Sequence, residues 1–353
     1  MVKAARCVKD KMIEPLVKTS LVKDCFEEGG SIHPLLIDSS ITKGLSLCNT
    51  SILETEKDSK YLLNIRWVSY YLHHNENHQK FQTPWGPLNY VRPDEDQHLR
   101  TENYICDLDL ENMAPINPRK INEDKFPAPK EWDFVGAEDI RLSMWDGQLY
   151  GSSVRRFAPE GEGRMQVSKL NVSDTQAIEE ERFYIEAPHN KESYCEKNWM
   201  PILNKPFSYV KWCSPIEVVE ANLSVTDPIT GRSPSKTIQG SFNNNFNSSI
   251  DARGGSQVIL YKGYYVTIIH EVQGWHNEKN DRDAFYFHRF MVWDENWELV
   301  NYSDRFTFMH GRIEFCCGLA SYKDDFLITF GFQDNGAYLF KMPKKYFDKL
   351  LKI

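Results

Sequence analysis

The residues best placed to do chemistry are Glu138-Asp139-Ile140-Arg141, two adjacent carboxylates followed by a guanidinium at the mouth of a strand-like run. That run continues to Trp145, turns at Asp146-Gly147 and resumes at Gln148-Leu149-Tyr150-Gly151, the pattern of a tight hairpin. Strand alternation in a fixed register sends Glu138 and Asp139 to opposite faces, so that one faces a cavity while its neighbours hold the other. A carboxylate with an arginine two residues on, on the same face, is a ready acid/base pair, with Asp139 as the proton-transfer group and Glu138 orienting it. The plainer reading is an Asp-Arg pair that closes a turn.

Arg66 stands in the otherwise apolar run Tyr61–Leu72. An unpaired charge there is costly, so Arg66 must face a cavity or a buried carboxylate. Lys197-Asn198-Trp199 reads either as polar groups at a site or as a turn with Trp199 in the core, while His270 and His288 fall on strand patterns that also suit core histidines. Asp107-Leu108-Asp109 mimics a metal-binding Asp-x-Asp, but period-two alternation gives the same string on any strand. No Gly-rich phosphate loop and no closed His/Cys ligand spacing is present, so neither metal nor cofactor is expected.

Composition narrows the setting. The 353 residues include 9 Trp, 17 Tyr and 20 Phe, which suits many half-buried strands and an aromatic-lined sugar site. A net charge of −8 gives no basic footprint for nucleic acid. No apolar run approaches the ~20 residues of a membrane span. The N-terminus has no apolar signal core, and the eight cysteines show no CxxC spacing. A cytoplasmic protein with reduced thiols is the expectation.

The elements that must position these residues are strands. Tyr61–Leu72, Glu138–Gly151, Phe207–Val219, Gln257–His270 with its turn at Lys262-Gly263, Tyr286–Trp293 and Phe315–Phe340 recur as strand-turn-strand units. They repeat at uneven spacing, like blades of a β-propeller with elaborated loops. Residues 73–133, polar and Pro-rich, and 221–255, rich in Ser, Asn, Gly and Thr, read as long inserts or lids. The expected organisation is an N-terminal extension over 1–30, an all-β propeller over 31–342 and a short closing helix over 343–353.

In order along the chain, Asn64-Ile65-Arg66, Gly136-Ala137-Glu138-Asp139-Ile140-Arg141, Glu196-Lys197-Asn198-Trp199-Met200-Pro201, Tyr209–Pro215, Gly254-Gly255-Ser256, Ile269-His270-Glu271, Tyr286–Arg289, Glu314–Leu319 and Asp334-Asn335 resemble the five-bladed β-propellers of glycoside hydrolase family 130, the β-mannoside phosphorylases and hydrolases. The chain resembles still more the related glycosyltransferase-like propellers of large DNA viruses, bacteria and protozoa. The resemblance implies a five-bladed propeller with long loop insertions. It implies Asp139 as proton donor and a basic pocket built from Arg66 and Arg141, with Lys197, Asn198, Lys211 and His270 as further binding groups. The family's late Asp corresponds loosely to Asp334, and its proline between Asp and Arg is here Ile140.

Three functions follow. In the first, the expected one, a glycosyltransferase moves a hexosyl unit from a sugar nucleotide to a glycan or glycoprotein acceptor, with arginines neutralising the donor phosphates. In the second, a phosphorylase or hydrolase uses Asp139 as general acid. Inverting hydrolysis then needs a second carboxylate roughly 6.5–9.5 Å away, for which Glu314 and Asp334 are the candidates. The third is a non-catalytic glycan-binding propeller.

Overall fold

Strands enter this chain as four-stranded antiparallel units arranged in a ring. The computed structural model describes residues 20–74, 88–91, 98–126, 134–157, 161–188, 193, 195–227, 230–241, 246, 248, 250–276 and 282–353. Blade 1 comprises Ser46–Glu56, Lys60–Val68, Leu99–Asp109 and Ala114–Asn122. Blade 2 comprises Glu138–Trp145, Gln148–Phe157, Glu162–Val172 and Ala177–Ile185. Met200–Pro201, Ser208–Cys213, Ile216–Ala221 and Ser235–Ser241 form blade 3. In blade 4 the inner strand is split into Asp251–Arg253 and Ile259–Tyr261, both pairing with Tyr264–His276, and Arg282–Trp293 and Leu299–Tyr302 complete the sheet. Blade 5 is Glu314–Tyr322, Asp325–Phe332 and Gly336–Pro343, closed by the early strand Ser31–Pro34 in antiparallel register with Tyr338–Lys341. The N-terminal strand thus ties the ring shut, and the fold is a five-bladed β-propeller.

Packing between blades explains the sequence pattern. Along Lys60–Val68 every residue after Lys60 is buried, because both faces of the strand are covered. Tyr61, Leu63, Ile65 and Trp67 pack with Ala320, Tyr322, Leu327 and Leu339 of blade 5. Leu62 turns the other way, onto Ile140, Leu142 and Leu149 of blade 2. The expected hairpin turns are present: Asp146 and Gly147 have φ of 50° and 73°, and Lys262 and Gly263 have 50° and 84°, the left-handed pair of a tight hairpin turn.

Two expectations change. The stretch 73–133 is not one insert: it contains the third and fourth strands of blade 1. Likewise 221–255 supplies Ser235–Ser241, the outer strand of blade 3, and Asp251–Arg253 of blade 4. After the ring closes, Lys344–Leu351 forms a helix that buries Phe347 and Leu351 against Phe290, Phe326 and Met342. Before it, Leu21–Phe26 is a short helix capped by Ser20. No helix among the described residues is long and apolar enough to cross a membrane, and the seven described cysteines are all free.

Candidate active site

The inner strands carry the site, and they do so through irregularities. In blade 2, Arg141 pairs with Ser152 and Glu138 with Val154, so Asp139 and Ile140 together face one residue of the partner strand. That is a β-bulge, and Asp139 sits in it with φ of 56°. Strict alternation is broken there: Glu138 and Asp139 both line one cavity instead of facing opposite ways. Blade 1 repeats the device, with a register shift between Cys48 and Ser51 and Asn49 at φ 41°. Asn198, just before blade 3, has φ of 64°, and Asp334, in the turn after Asp325–Phe332, has 49°. All four residues line the same cavity. Asn and Asp tolerate the left-handed region better than other side chains, and such outliers gather at functional sites.

The cavity, about 130 Å³, is also lined by Arg66, Tyr70, Phe134, Lys197, Arg253, His270, Tyr286 and Phe315. Arg66 Nη1 lies 2.8 Å from Asp139 Oδ1, and both side chains are almost fully buried. The rest of the guanidinium is held by Thr101 Oγ1 at 3.2 and 3.3 Å and Tyr70 Oη at 3.1 Å. Asn49 Nδ2 donates to Asp139 Oδ1 at 2.9 Å and reaches Asp334 Oδ1 at 3.4 Å. Burial pushes the Asp139 carboxyl up, but Arg66, Arg141, the Asn49 hydrogen bond and Lys197 together outweigh it, and Asp139 is held below its ordinary value. Asp334 goes the other way. Burial raises it, Arg66 opposes, and the charges of Asp139 and Glu138 raise it further. The same surroundings thus favour the ionised form of Asp139 and oppose ionisation of Asp334.

Lys197 is walled by protein yet open to the cavity solvent. Burial would lower it, but Glu138 foremost, then Cys195 and Asp139, hold it above its ordinary value. It is presented by a turn in which the Glu196 carboxylate accepts from Ser193 N at 2.8 Å and Trp199 Nε1 at 3.1 Å, so Trp199 is a buried brace and no sugar platform. Arg253 pairs with Asp251 at 2.7 Å. His270 Nδ1 meets the Gly254 carbonyl at 2.8 Å, which places the proton on Nδ1. Burial, then His288 and Arg253, hold this ring well below its ordinary value, so it is a neutral group and not an anion-binding cation. Its ring packs on Phe315 and Tyr286, with centroids 4.8 and 5.3 Å away.

The structure therefore gathers Arg66, Glu138, Asp139, Lys197, Asn198, His270 and Asp334 around one cavity. It does not bring in three others. Arg141 lies beneath the floor: Nε donates to Gly255 O at 2.5 Å, Nη1 to Asp139 O at 3.0 Å and Nη2 to Asn198 Oδ1 at 3.4 Å. It braces the backbone at Asp139 and Gly255 and the Asn198 side chain. Lys211 lies 3.8 Å from Glu217 and over the Trp199 ring, away from the cavity. Glu314 is fully buried and accepts from the amides of Phe308, Met309 (2.8 Å) and Gly311 (2.7 Å), tying down a loop. Sequence reasoning missed Asn49, Tyr70, Arg253, Tyr286 and Phe315. For Asn49 the usable signal was a polar Asn-Thr pair interrupting an inner strand.

Asp107 is engaged by Arg119 at 3.0 Å and Asn117 at 3.1 Å, and Asp109 caps a turn through Glu111 N and Asn112 N. No group of three or more His, Cys, Asp or Glu suited to a metal occurs among the described residues. A larger groove, about 590 Å³, is lined by Glu56, Lys60 and Gly147, at the turns that follow the inner strands. It lies at the other end of the blades from Asn49 and Asp139, and its Asp107–Arg119 pair is already satisfied.

No protein-family model matches the sequence, and no curated protein sequence matches it. Solved structures share the fold. A β-1,2-mannobiose phosphorylase from Listeria innocua, in complex with β-1,2-mannobiose, is 12% identical with a TM-score of 0.51, covering 92% of this chain and 94% of that one. A putative glycoside hydrolase from Parabacteroides distasonis is 13% identical with a TM-score of 0.49, over 84% and 87% of the two chains. A mannose phosphorylase from Leishmania mexicana, in complex with a phosphate ion, is 10% identical with a TM-score of 0.48, over 92% of each chain.

Proposed function

We propose that this chain is a carbohydrate-active enzyme that cleaves a glycosidic bond by phosphorolysis, with Asp334 and Asp139 dividing the acid/base work. The observation that carries this reading is the pair itself: two carboxyls in one cavity, one paired with Arg66 and held below its ordinary value, the other raised above its own by burial and by the charge of the first. Environments that push neighbouring carboxyls apart in this way mark acid/base assignments. Asp334 donates its proton to the departing glycosidic oxygen as the C–O bond breaks. Ionised Asp139 stabilises positive charge developing at the sugar carbon, and a phosphate oxygen forms the new bond to that carbon. The expectation from sequence gave the proton to Asp139; the buried contact with Arg66 favours Asp334 instead.

Phosphorolysis fits better than the two competing chemistries. Asn49 Nδ2 contacts both carboxyls, at 2.9 and 3.4 Å, which holds them together at or below the lower edge of the roughly 6.5–9.5 Å that seats a hydrolytic water in an inverting enzyme. Phosphate brings its own nucleophilic oxygen, and Lys197 supplies positive charge at the cavity. Transfer from a sugar nucleotide asks Arg66 and Arg141 to hold a diphosphate. Arg66 is already paired with Asp139, and Arg141 is occupied by Gly255 O, Asp139 O and Asn198.

β-Mannosides are the first substrates to test, because a β-1,2-mannobiose phosphorylase shares the fold. The purified protein is incubated with β-linked mannobioses and either phosphate, water alone or sugar nucleotides. Mannose 1-phosphate formed only with phosphate is the expected product. Free mannose without phosphate, or glycosyl transfer from a nucleotide sugar, would replace this reading.

A further inference from the structure

Asn49 is placed at the meeting point of three blades. It belongs to blade 1, while the carboxyls it touches come from blade 2 and from the turn that follows the second strand of blade 5. Its amide orientation is fixed by chemistry: only the NH2 end can face the ionised Asp139 carboxylate, which is the orientation found. The opposite end, Oδ1, is buried without a hydrogen-bond partner. It lies against Gly331, where an added Cβ would fall 2.0 Å from Asn49 Oδ1 and 2.6 Å from Asn49 N. Blade 5 thus leaves a side chain out so that this amide fits. The backbone at Asn49 is left-handed, with φ of 41°, inside a bulge that turns the side chain inward. A buried acceptor without a partner and a left-handed residue both cost stability, and neither contributes to the packing of blade 1.

We propose that Asn49 is the positioning residue of the carboxyl pair: its amide nitrogen, shared unequally between Asp139 and Asp334, fixes their separation and reinforces the preference for negative charge on Asp139 that Arg66 establishes. A donor closer to one oxygen stabilises the anion there, and the neighbouring carboxyl then ionises against that charge. The two N–H groups of one amide also keep the carboxyls from collapsing into a direct contact that would share one proton.

This inference rests on the proposed division of roles at the site, and its test needs no substrate. Aspartate carrying ¹³C at the carboxyl carbon is titrated by NMR in the full-length protein and in Asn49→Gly, Asn49→Asp and Gly331→Ala. Glycine accepts the left-handed backbone, so Asn49→Gly removes the donor without strain. Asp139 is expected to titrate at higher pH in Asn49→Gly than in wild type, and Gly331→Ala, which displaces the amide from a different blade, is expected to shift it the same way. Asn49→Asp adds a third carboxyl of the same shape and is expected to raise both Asp139 and Asp334. Wild-type titration of both groups in folded Asn49→Gly and Asn49→Asp overturns the inference. The expected shifts in a protein that releases no sugar phosphate would uphold the role of Asn49 and remove the phosphorolytic reading; unchanged titrations with phosphorolysis intact would do the reverse.

Discussion

Arg66 Nη1 and Asp139 Oδ1 form a 2.8 Å ion pair that crosses from the second strand of blade 1 to the inner strand of blade 2. Both partners are buried, so removing either leaves the other without a counter-charge. Truncating one member of such a pair typically costs about 3–5 kcal/mol. Arg66→Met is expected to lower stability by that order in chemical denaturation, and to abolish activity because Asp139 loses the charge that keeps it ionised.

The two aspartates should separate in stability as well as in rate. Burial and the charge of Asp139 favour the neutral form of Asp334, and a protonated carboxyl is close to an amide in shape and charge. Asp334→Asn is therefore expected not to lower the unfolding midpoint. Asp139→Asn removes the negative charge facing Arg66 and is expected to lower it clearly. Each is expected to reduce turnover of the natural linkage by about 10²–10⁴-fold. Equal destabilisation by both variants would contradict the assigned protonation states.

The pH dependence of stability follows from the same shifts. Asp139 is depressed in the fold, so its contribution is present above the unfolded value near 3.8 and is lost as pH falls through its folded value. Asp334 is raised, so its contribution is present at low pH and is lost as pH rises through its folded value. Denaturation of wild type and Asp334→Asn across pH should show the wild type losing ground to the variant as pH increases.

Glu314 is expected to be structural. Burial pushes its carboxyl up to about 7 even though three main-chain amides donate to it. Glu314→Gln turns an NH2 group toward those donors, and an unmet buried donor costs about 1–3 kcal/mol. A lower unfolding midpoint with kcat little changed is the expected outcome. A loss of kcat with stability intact would return Glu314 to the chemistry.

The blade hairpins were legible because Asp146-Gly147 and Lys262-Gly263 are turn signals with a physical cause. The outer strands were not. Ala114–Asn122 carries two prolines and several exposed polar residues, which a blade's outermost strand accommodates more readily than a central one and which look like loop when read alone. Arg66 was legible as a charge that had to face a cavity or a buried carboxylate, and it does both. The geometry around Asp139 was not, since a bulge adds one residue without a distinctive composition and so reverses the face of everything after it. For the same reason Arg141, expected on the cavity face, lies beneath it. Asp334 was visible only as a loose match, and its protonation depends on Asp139 and Glu138, which lie about two hundred positions earlier in the chain.

The assignment of the proton to Asp334 is tested most directly by the leaving group. Phosphorolysis of 4-nitrophenyl β-mannoside needs little protonation of the departing oxygen, whereas a mannobiose needs it fully. Comparing kcat/KM on the two substrates, Asp334→Asn is predicted to lose about 10²–10⁴-fold on mannobiose and far less on the nitrophenyl substrate, while Asp139→Asn loses similarly on both. The reverse pattern, with the nitrophenyl substrate rescuing Asp139→Asn and leaving Asp334→Asn equally impaired on both, would contradict the account.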